Sequence, residues 1–155
     1  MGTGVLKGLH ALAGRQGVVI DTMVFIYLFE EHPRYVDLCE QIIDHIFKGT
    51  FTGVITPITA AEILVKPLKQ NKIAIADRYR RAIGNIPNLK LFQFDIQTGF
   101  MAGALRARYG LPLPDMFQIA AAMSHPAKAF ITNDKVFRRV NEVDLFFIDE
   151  MSVSH

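Results

Sequence analysis

Four acidic residues stand where an apolar, strand-like run ends or where a helix begins. They are Asp21, Glu62, Asp115 and Asp134. A parallel α/β sheet gathers such positions along the edge formed by the carboxyl ends of its strands, so we expect the four carboxylates to lie close together. Like charges gathered there raise one another's pKa values unless a cation neutralises them. Oxygen ligands without histidine or cysteine suit Mg²⁺ or Mn²⁺, and such an ion indicates phosphate chemistry.

Each acid also has a purely structural interpretation. Asp21 and Asp134 can cap the helices that follow them, and Asp115 is a first-turn acid, favoured by the helix dipole. Glu62 fits a capping box, because Thr59 stands three residues before it. Each of these roles accounts for one residue taken singly. The combination of four acids at one predicted edge is what favours a metal site.

The elements that must position these acids alternate between strands and helices. Short apolar or β-branched runs predict strands at 18–20, 53–56, 89–94, 129–132 and 145–148. The segments between them show helical spacing of apolar residues and helix-start signals such as Pro57 and Asp95. This alternation predicts an α/β fold in which a mainly parallel sheet lies between two helical layers.

Composition limits the function classes. A chain of 155 residues, half of them apolar, is long enough to bury one full core, and its net charge of +2 does not impose a polyanionic partner. The single cysteine, Cys39, excludes a disulfide framework and a thiolate zinc site. We expect a cytoplasmic protein, because no apolar run is long enough to span a membrane and the N-terminus has no signal-peptide pattern.

Four segments, in order, resemble the signature blocks of PIN-domain ribonucleases. They are VVIDTMVFIYLFEEHPRY, TPITAAEILVKP, LRARYGLPLPDMFQIAAAM and FITNDKVFRRV, which span residues 18–140. Within that family the chain is most similar to the small VapC-like toxins of type II toxin–antitoxin systems. The resemblance implies a PIN-like three-layer α/β/α sandwich with a central, mainly parallel sheet. We divide the chain into an N-terminal extension (1–17), a single PIN domain (18–150) and a C-terminal tail (151–155).

The resemblance also implies an activity and a set of site residues. It implies an endoribonuclease that uses Mg²⁺ or Mn²⁺ and leaves 5′-phosphate and 3′-hydroxyl ends. Asp21, Glu62 and Asp115 match the family's main acids, which bind the metal directly or through water. The more peripheral fourth acid is matched by Asp134. Supporting polar groups are expected from Thr22, Thr132 and Asn133.

RNA and protein partners follow from the same resemblance. We expect phosphate contacts from cations near the acids, namely Arg106, Arg108, Lys135, Arg138 and Arg139. We also expect a cognate antitoxin and a homodimer. Candidate surfaces for both protein contacts are the first two helices, which carry Phe25, Phe29, Tyr35 and Leu38.

Other functions stay open at this point. A haloacid-dehalogenase-type phosphatase requires a second aspartate two residues after its nucleophile, where this chain has Met23. A PIN nuclease for housekeeping RNA processing would carry the same acids as a toxin. A non-cleaving module that only binds RNA or protein is disfavoured, because it has no physical need for four mutually repelling carboxylates at one edge.

Overall fold

The computed structural model describes residues 8–151 and has a five-stranded parallel sheet at its centre. The strands are β1 (Gln16–Ile20), β2 (Thr52–Ile55), β3 (Leu89–Leu91), β4 (Ala129–Thr132) and β5 (Asp144–Phe147). The helices are α1 (Thr22–Phe29), α2 (Val36–Phe47), α3 (Pro57–Lys69), α4 (Ile73–Gly84), α5 (Ile96–Tyr109) and α6 (Leu113–Met123). Short 3₁₀ helices occupy Leu9–Leu12, Lys135–Arg139 and Ile148–Glu150. The expected α/β class is confirmed.

Two apolar clusters cover the two faces of the sheet. Successive strand residues point to opposite faces, so Val18 and Ile20 of β1 join a cluster with α1 and α2. Val19 lies between them in sequence and joins the opposite cluster, with α5 and α6. All three side chains are fully buried. These two clusters make the molecule a three-layer α/β/α sandwich.

In the strand order β3-β2-β1-β4-β5, the topological switch point lies between β1 and β4. The chain moves outward on one side from β1 to β2 and β3, and on the other side from β4 to β5. Ligands of open α/β sheets bind beyond the carboxyl ends of the strands at such a switch point. Asp21 follows β1 and Asp134 follows β4 by two residues, so the topology places both at this crevice.

The edge strand β3 is shorter than the sequence predicts. The apolar run extends to residue 94, but the strand ends at Leu91. Its neighbour β2 ends at Ile55, the pairing partner of Leu91, because Pro57 begins α3 two residues later. The edge strand therefore has no neighbouring strand to pair with beyond that point.

Two residues proposed as a partner surface belong to the core instead. Phe25 and Leu38 are buried in the cluster under α1 and α2. Their assignment to a surface is wrong, because both lie on the helix faces that pack against the sheet. Phe29 and Tyr35 are only partly buried at the margin of that cluster.

Part of the predicted N-terminal extension packs against the domain. Leu9 and Leu12 are buried in the α1-side cluster, and Arg15 donates a 2.8 Å hydrogen bond to Asp144 at the start of β5. Residues 1–7 of the extension and 152–155 of the tail lie outside the described range. Within residues 8–151, no helix has the length and apolar character needed to cross a membrane.

Candidate active site

Asp21 is held at the end of β1 by converging hydrogen bonds. It is the N-cap of α1, and its Oδ1 accepts from the Thr22 backbone N–H at 2.8 Å. Its Oδ2 accepts from Thr132 Oγ1 at 2.7 Å, and Gln118 Nε2 approaches Oδ1 at 3.4 Å. Burial raises the pKa of Asp21, these hydrogen bonds lower it, and the charge of Glu62 raises it further. The capping role is real, and the same carboxylate lies at the switch point.

The loop after β4 connects two of the acids. Thr132 is fully buried, and its hydroxyl donates to Asp21 while accepting from the Asp134 backbone N–H at 3.1 Å. Asp134 is exposed and caps the following 3₁₀ helix through a 3.0 Å bond from the Val136 N–H. Thr132 therefore links the β1 acid to the backbone of the β4 acid.

Glu62 does not belong to a capping box. Helix α3 begins at Pro57, so its N-cap is Thr56, and Thr59 lies inside the first turn. A capping-box acid occupies the third helical position, whereas Glu62 is the sixth residue of α3. Its Oε1 instead accepts from Thr22 Oγ1 at 2.9 Å. The contact brings the α3 acid to the start of α1.

Asp115 is the least constrained of the four acids. It lies in the first turn of α6 and is partly buried. Burial raises its pKa to about 6, with further contributions from the charges of Asp21, Asp134 and Glu62. Within residues 8–151 its carboxylate accepts no hydrogen bond. All four acids thus act electrostatically on one site.

One buried side chain in this site has no counterpart in the sequence predictions. Gln118 of α6 is 1% exposed and bonds Thr56, Thr59 and Asp21. In the sequence, Gln118 is recognisable only as a single amide within the apolar helix that also carries Asp115. An amide on a solvated face would give the same pattern, so the sequence does not distinguish the two.

Asn133 forms hydrogen bonds near the site but none with the four acids. Its Oδ1 accepts from the Asp149 backbone N–H at 3.0 Å, and its Nδ2 approaches the Tyr27 hydroxyl at 3.4 Å. The residue therefore joins the loop after β4 to the segment after β5 and to α1. None of these bonds reaches a carboxylate of the four acids.

The cations near the site already have partners within the protein. Arg106 donates to the backbone oxygens of Gly110 and Leu111, and Arg108 pairs with Glu142. Lys135 pairs with Asp149 at 3.3 Å and Arg138 pairs with Glu150, and both lie over the Phe147 ring. Arg139 is exposed. Exposed ion pairs contribute only about 0–1 kcal/mol, so a phosphate can replace a carboxylate partner at small cost.

Comparison with known proteins identifies the family. The family model of the PIN domain matches residues 18–143. The chain belongs to the PIN domain family. No curated protein is similar enough in sequence to match this chain.

Solved structures with this PIN fold include complexes of toxins with antitoxins. VapBC2 from Rickettsia felis, bound to a DNA fragment from its promoter, has a TM-score of 0.67 and 19% identity over 83% of this chain and 96% of that chain. A toxin–antitoxin complex from Klebsiella pneumoniae has a TM-score of 0.63 and 24% identity, covering 81% of this chain and 94% of that chain. DNA-bound VapBC from Salmonella typhimurium has a TM-score of 0.61 and 19% identity, covering 86% and 98%. At these identities the similarity concerns the fold.

The donor set of this PIN domain fits a hard divalent cation. The four acids offer only oxygen atoms, the ligands that Mg²⁺ and Mn²⁺ prefer. Among the side chains of residues 8–151, no three of His, Cys, Asp or Glu stand in the arrangement of a preformed metal site. Mg²⁺ keeps several of its waters and needs only one or two direct carboxylates. A set of four acids of which some bind directly and others through water would meet that requirement.

Proposed function

We propose that this PIN domain is an endoribonuclease that depends on Mg²⁺ or Mn²⁺. The observation that carries the proposal is the convergence of the acids at the switch point: Thr22 bonds both Asp21 and Glu62, and Thr132 bonds Asp21 and the backbone of Asp134. Burial and the charges of these three acids raise the pKa of Asp115, which supports the same grouping. A site that destabilises its own ionised carboxylate gains most from a bound cation. The family membership supports a nuclease, and the oxygen-only ligands support a hard metal.

The residues divide the work as follows. Asp21 and Asp115 would hold the cation, with Glu62 and Asp134 binding its waters. A cation held there lowers the pKa of a bound water and polarises the phosphodiester. Thr22 and Thr132 orient Glu62 and Asp21 through the hydrogen bonds that they donate. Lys135, Arg138 and Arg108 are proposed phosphate contacts after exchange of their carboxylate partners. Arg106, whose partners are backbone oxygens, is a further proposed contact.

We further propose that the enzyme is the toxin of a toxin–antitoxin pair, in the cytoplasm. A groove of ≈ 250 Å³ between α1, α3 and α4 supports this proposal, because it offers a binding site for a segment of the antitoxin. Its apolar lining comes from Ile26, Phe29, Ile63, Pro67, Ile75 and Tyr79. Glu62 lines the same groove, so an occupant would cover a site acid and block the cleft.

Charge indicates which partner segment fits this groove. Lys66 and Lys72 line it, and Lys69 lies between them in sequence at the end of α3. Glu30 supplies one counter-charge through its ion pair with Lys66. The lining as a whole is balanced, because Glu30 and Glu62 offset Lys66 and Lys72, so the positive excess is confined to the end of α3 beside Lys69. An apolar peptide whose acidic residues lie at that end, away from Glu62, would match both the lining and this charge.

We propose that the homodimer interface is the exposed face of α5, and not the first two helices that the sequence suggested. Ile96 and Phe100 are 68% and 65% exposed on this face. Gly99 and Gly103 lie beside them, and a Cβ added at either glycine would meet nothing within 4 Å. Because these bulky side chains lie next to glycines with free space around them, a second copy of the same helix can pack closely against this face.

An antiparallel pairing of two α5 helices also matches their charges. Asp95 caps the beginning of α5, and Arg106 and Arg108 lie in its last turn. A two-fold axis near the middle of the helix would set Phe100 against Gly103 of the second copy and Asp95 near Arg108.

Sedimentation should show Phe100→Ser shifted to monomer, with the exposed Phe47→Ser on α2 as a control that still pairs. Equal behaviour of the two variants would contradict this interface.

The nuclease proposal is tested with partner-free protein and total cellular RNA, in Mn²⁺ or in EDTA. We expect discrete cleavage in Mn²⁺ only, reduced at least about 100-fold by Asp115→Asn, since loss of even an outer-shell contact costs ~10–100-fold. Asp37→Asn is the matched control, because Asp37 is a first-turn acid of α2 away from the site. Full activity in Asp115→Asn would refute the site. No cleavage by folded, Mn²⁺-bound wild type would favour a non-cleaving module.

A further inference from the structure

Gln118 is a polar hub inside an apolar helix. Its neighbours Met116, Ile119 and Ala120 are fully buried, and Gln118 itself is 1% exposed. A buried amide without hydrogen bonds destabilises the folded state, so its partners matter. Here Oε1 accepts from Thr56 Oγ1, and Nε2 donates to Thr59 Oγ1 at 2.9 Å. The second Nε2 hydrogen points to Asp21 Oδ1 at 3.4 Å.

The direction of every proton in this network follows from counting donors. Thr22 has one hydroxyl hydrogen and gives it to the Glu62 carboxylate, so in its 2.9 Å contact with Thr59 it must accept. Thr59 therefore donates to Thr22 and can only accept from Gln118. The Gln118 N–H₂ group must then face Thr59, and its oxygen must face Thr56.

The result is a branched hydrogen-bond chain with all donors directed at two carboxylates. It starts at Thr56, where the hydroxyl serves Gln118 and makes no capping bond to α3. From Gln118 one branch ends at Asp21, and the other passes through Thr59 and Thr22 to Glu62. No buried side-chain nitrogen or oxygen of residues 8–151 is left without a partner. Only one assignment of the hydroxyl and amide hydrogens satisfies all of these bonds.

We infer that Gln118 is a positioning residue that sets Asp21 and Glu62 as a pair for the cation. The inference rests on the proposed metal-dependent function and adds to it the groups that fix the orientation of the two acids. Because both branches begin at one amide, a single side chain couples an acid of α1 to an acid of α3. Outer-shell partners of metal ligands act in this way, by restricting the ligands to one orientation before the ion binds.

Thr59 offers the sharpest test, because it is the link between Gln118 and Thr22. Thr59→Val keeps the shape and removes the hydroxyl, so it interrupts the branch to Glu62. We expect Mn²⁺ binding, measured by calorimetry on the metal-free protein, to weaken ~10-fold or more. Thr59→Ser keeps the hydroxyl and should bind Mn²⁺ within about threefold of the wild type on the same principle. A purely structural Thr59 would change the melting temperature without changing the Mn²⁺ affinity of the folded protein.

A second variant covers the case in which Thr59→Val does not fold. Thr56→Val removes only the group that orients the Gln118 amide, and its hydroxyl is not used to cap α3. It should weaken Mn²⁺ binding less than Thr59→Val, but measurably. Unchanged Mn²⁺ affinity in the folded variant, or equal losses in Thr59→Val and Thr59→Ser, would overturn the inference while the proposed function stands. Failure of the wild type to bind Mn²⁺ would instead remove the proposed function.

Discussion

Asp21 and Asp115 lie in the same site and are held in opposite ways. Three donors, from Thr22, Thr132 and Gln118, converge on the Asp21 carboxylate. Asp115 accepts no hydrogen bond within residues 8–151, and its pKa is raised to about 6. Burial raises the pKa of both acids, but hydrogen bonds fix the orientation of Asp21 and partly offset that rise, whereas Asp115 has no such bonds among the described residues. Under the proposed function, Asp21 would set the position of the metal and Asp115 would be neutralised by the bound ion.

The difference between the two acids has an expected effect on the stability of the metal-free protein at pH 8. Asp115→Asn removes a charge that the folded state disfavours. The pKa shift from 3.8 to about 6 corresponds to ~3 kcal/mol, but partial exposure screens it and we expect about 1 kcal/mol. A domain of this size should then melt about 2–4 °C higher than the wild type. Thermal unfolding in EDTA measures the effect.

Asp21→Asn is the contrasting variant in the same experiment. An amide at this position can keep the bonds from Thr22 and Gln118 through its oxygen, but it then turns its N–H₂ group toward Thr132, whose hydroxyl must reverse its role and loses the acceptor for its proton. That mismatch costs roughly 1–3 kcal/mol. Loss of the buried charge offsets part of this cost, because burial also raises the pKa of Asp21, so Asp21→Asn should melt measurably below Asp115→Asn. Equal melting temperatures for the two variants would remove the distinction between the fixed and the free acid.

A smaller effect is the pH dependence of the gain from Asp115→Asn. The pKa of Asp115 is raised in the folded state, so between pH 3.8 and about 6 the folded protein holds a proton that the unfolded chain has lost. The contribution of Asp115 to wild-type stability therefore falls as pH rises through this window and is constant above it. The advantage of Asp115→Asn should be complete at pH 8 and absent near pH 4. Urea unfolding at both pH values measures it, and an advantage independent of pH would contradict the assignment.

The sequence predicted the parts of the site that depend on strand ends. Asp21 and Asp134 follow strands of continuous apolar residues, and a parallel sheet brings such positions together. Glu62 was harder to assign, because Thr59 three residues before it imitates a capping box. The pattern was misleading because Pro57 starts α3 two residues before Thr59 and thereby places Thr59 inside the helix.

Features that depend on packing were not predictable in the same way. Gln118 lies one turn after Asp115, but its partners Thr56 and Thr59 come from another helix start, 62 and 59 residues earlier. Nothing local distinguishes it from a surface amide. Phe25 and Leu38 were misassigned for the same reason, since the sequence shows an apolar helix face but not what covers it. The exposure of Phe100 became visible only once α5 had been placed on the sheet.

Calorimetry of Mn²⁺ binding to the metal-free protein at pH 6, in two buffers of different ionisation enthalpy, tests the account most directly. The pKa of Asp115 is raised to about 6 and that of Asp21 is also raised, so a cation that requires ionised carboxylates should release protons on binding at this pH. We expect that release to be smaller at pH 8, and Asp115→Asn to bind weakly with less of it. Mn²⁺ binding without proton release at pH 6, or binding unchanged in Asp115→Asn, would contradict the claim that these acids form the metal site.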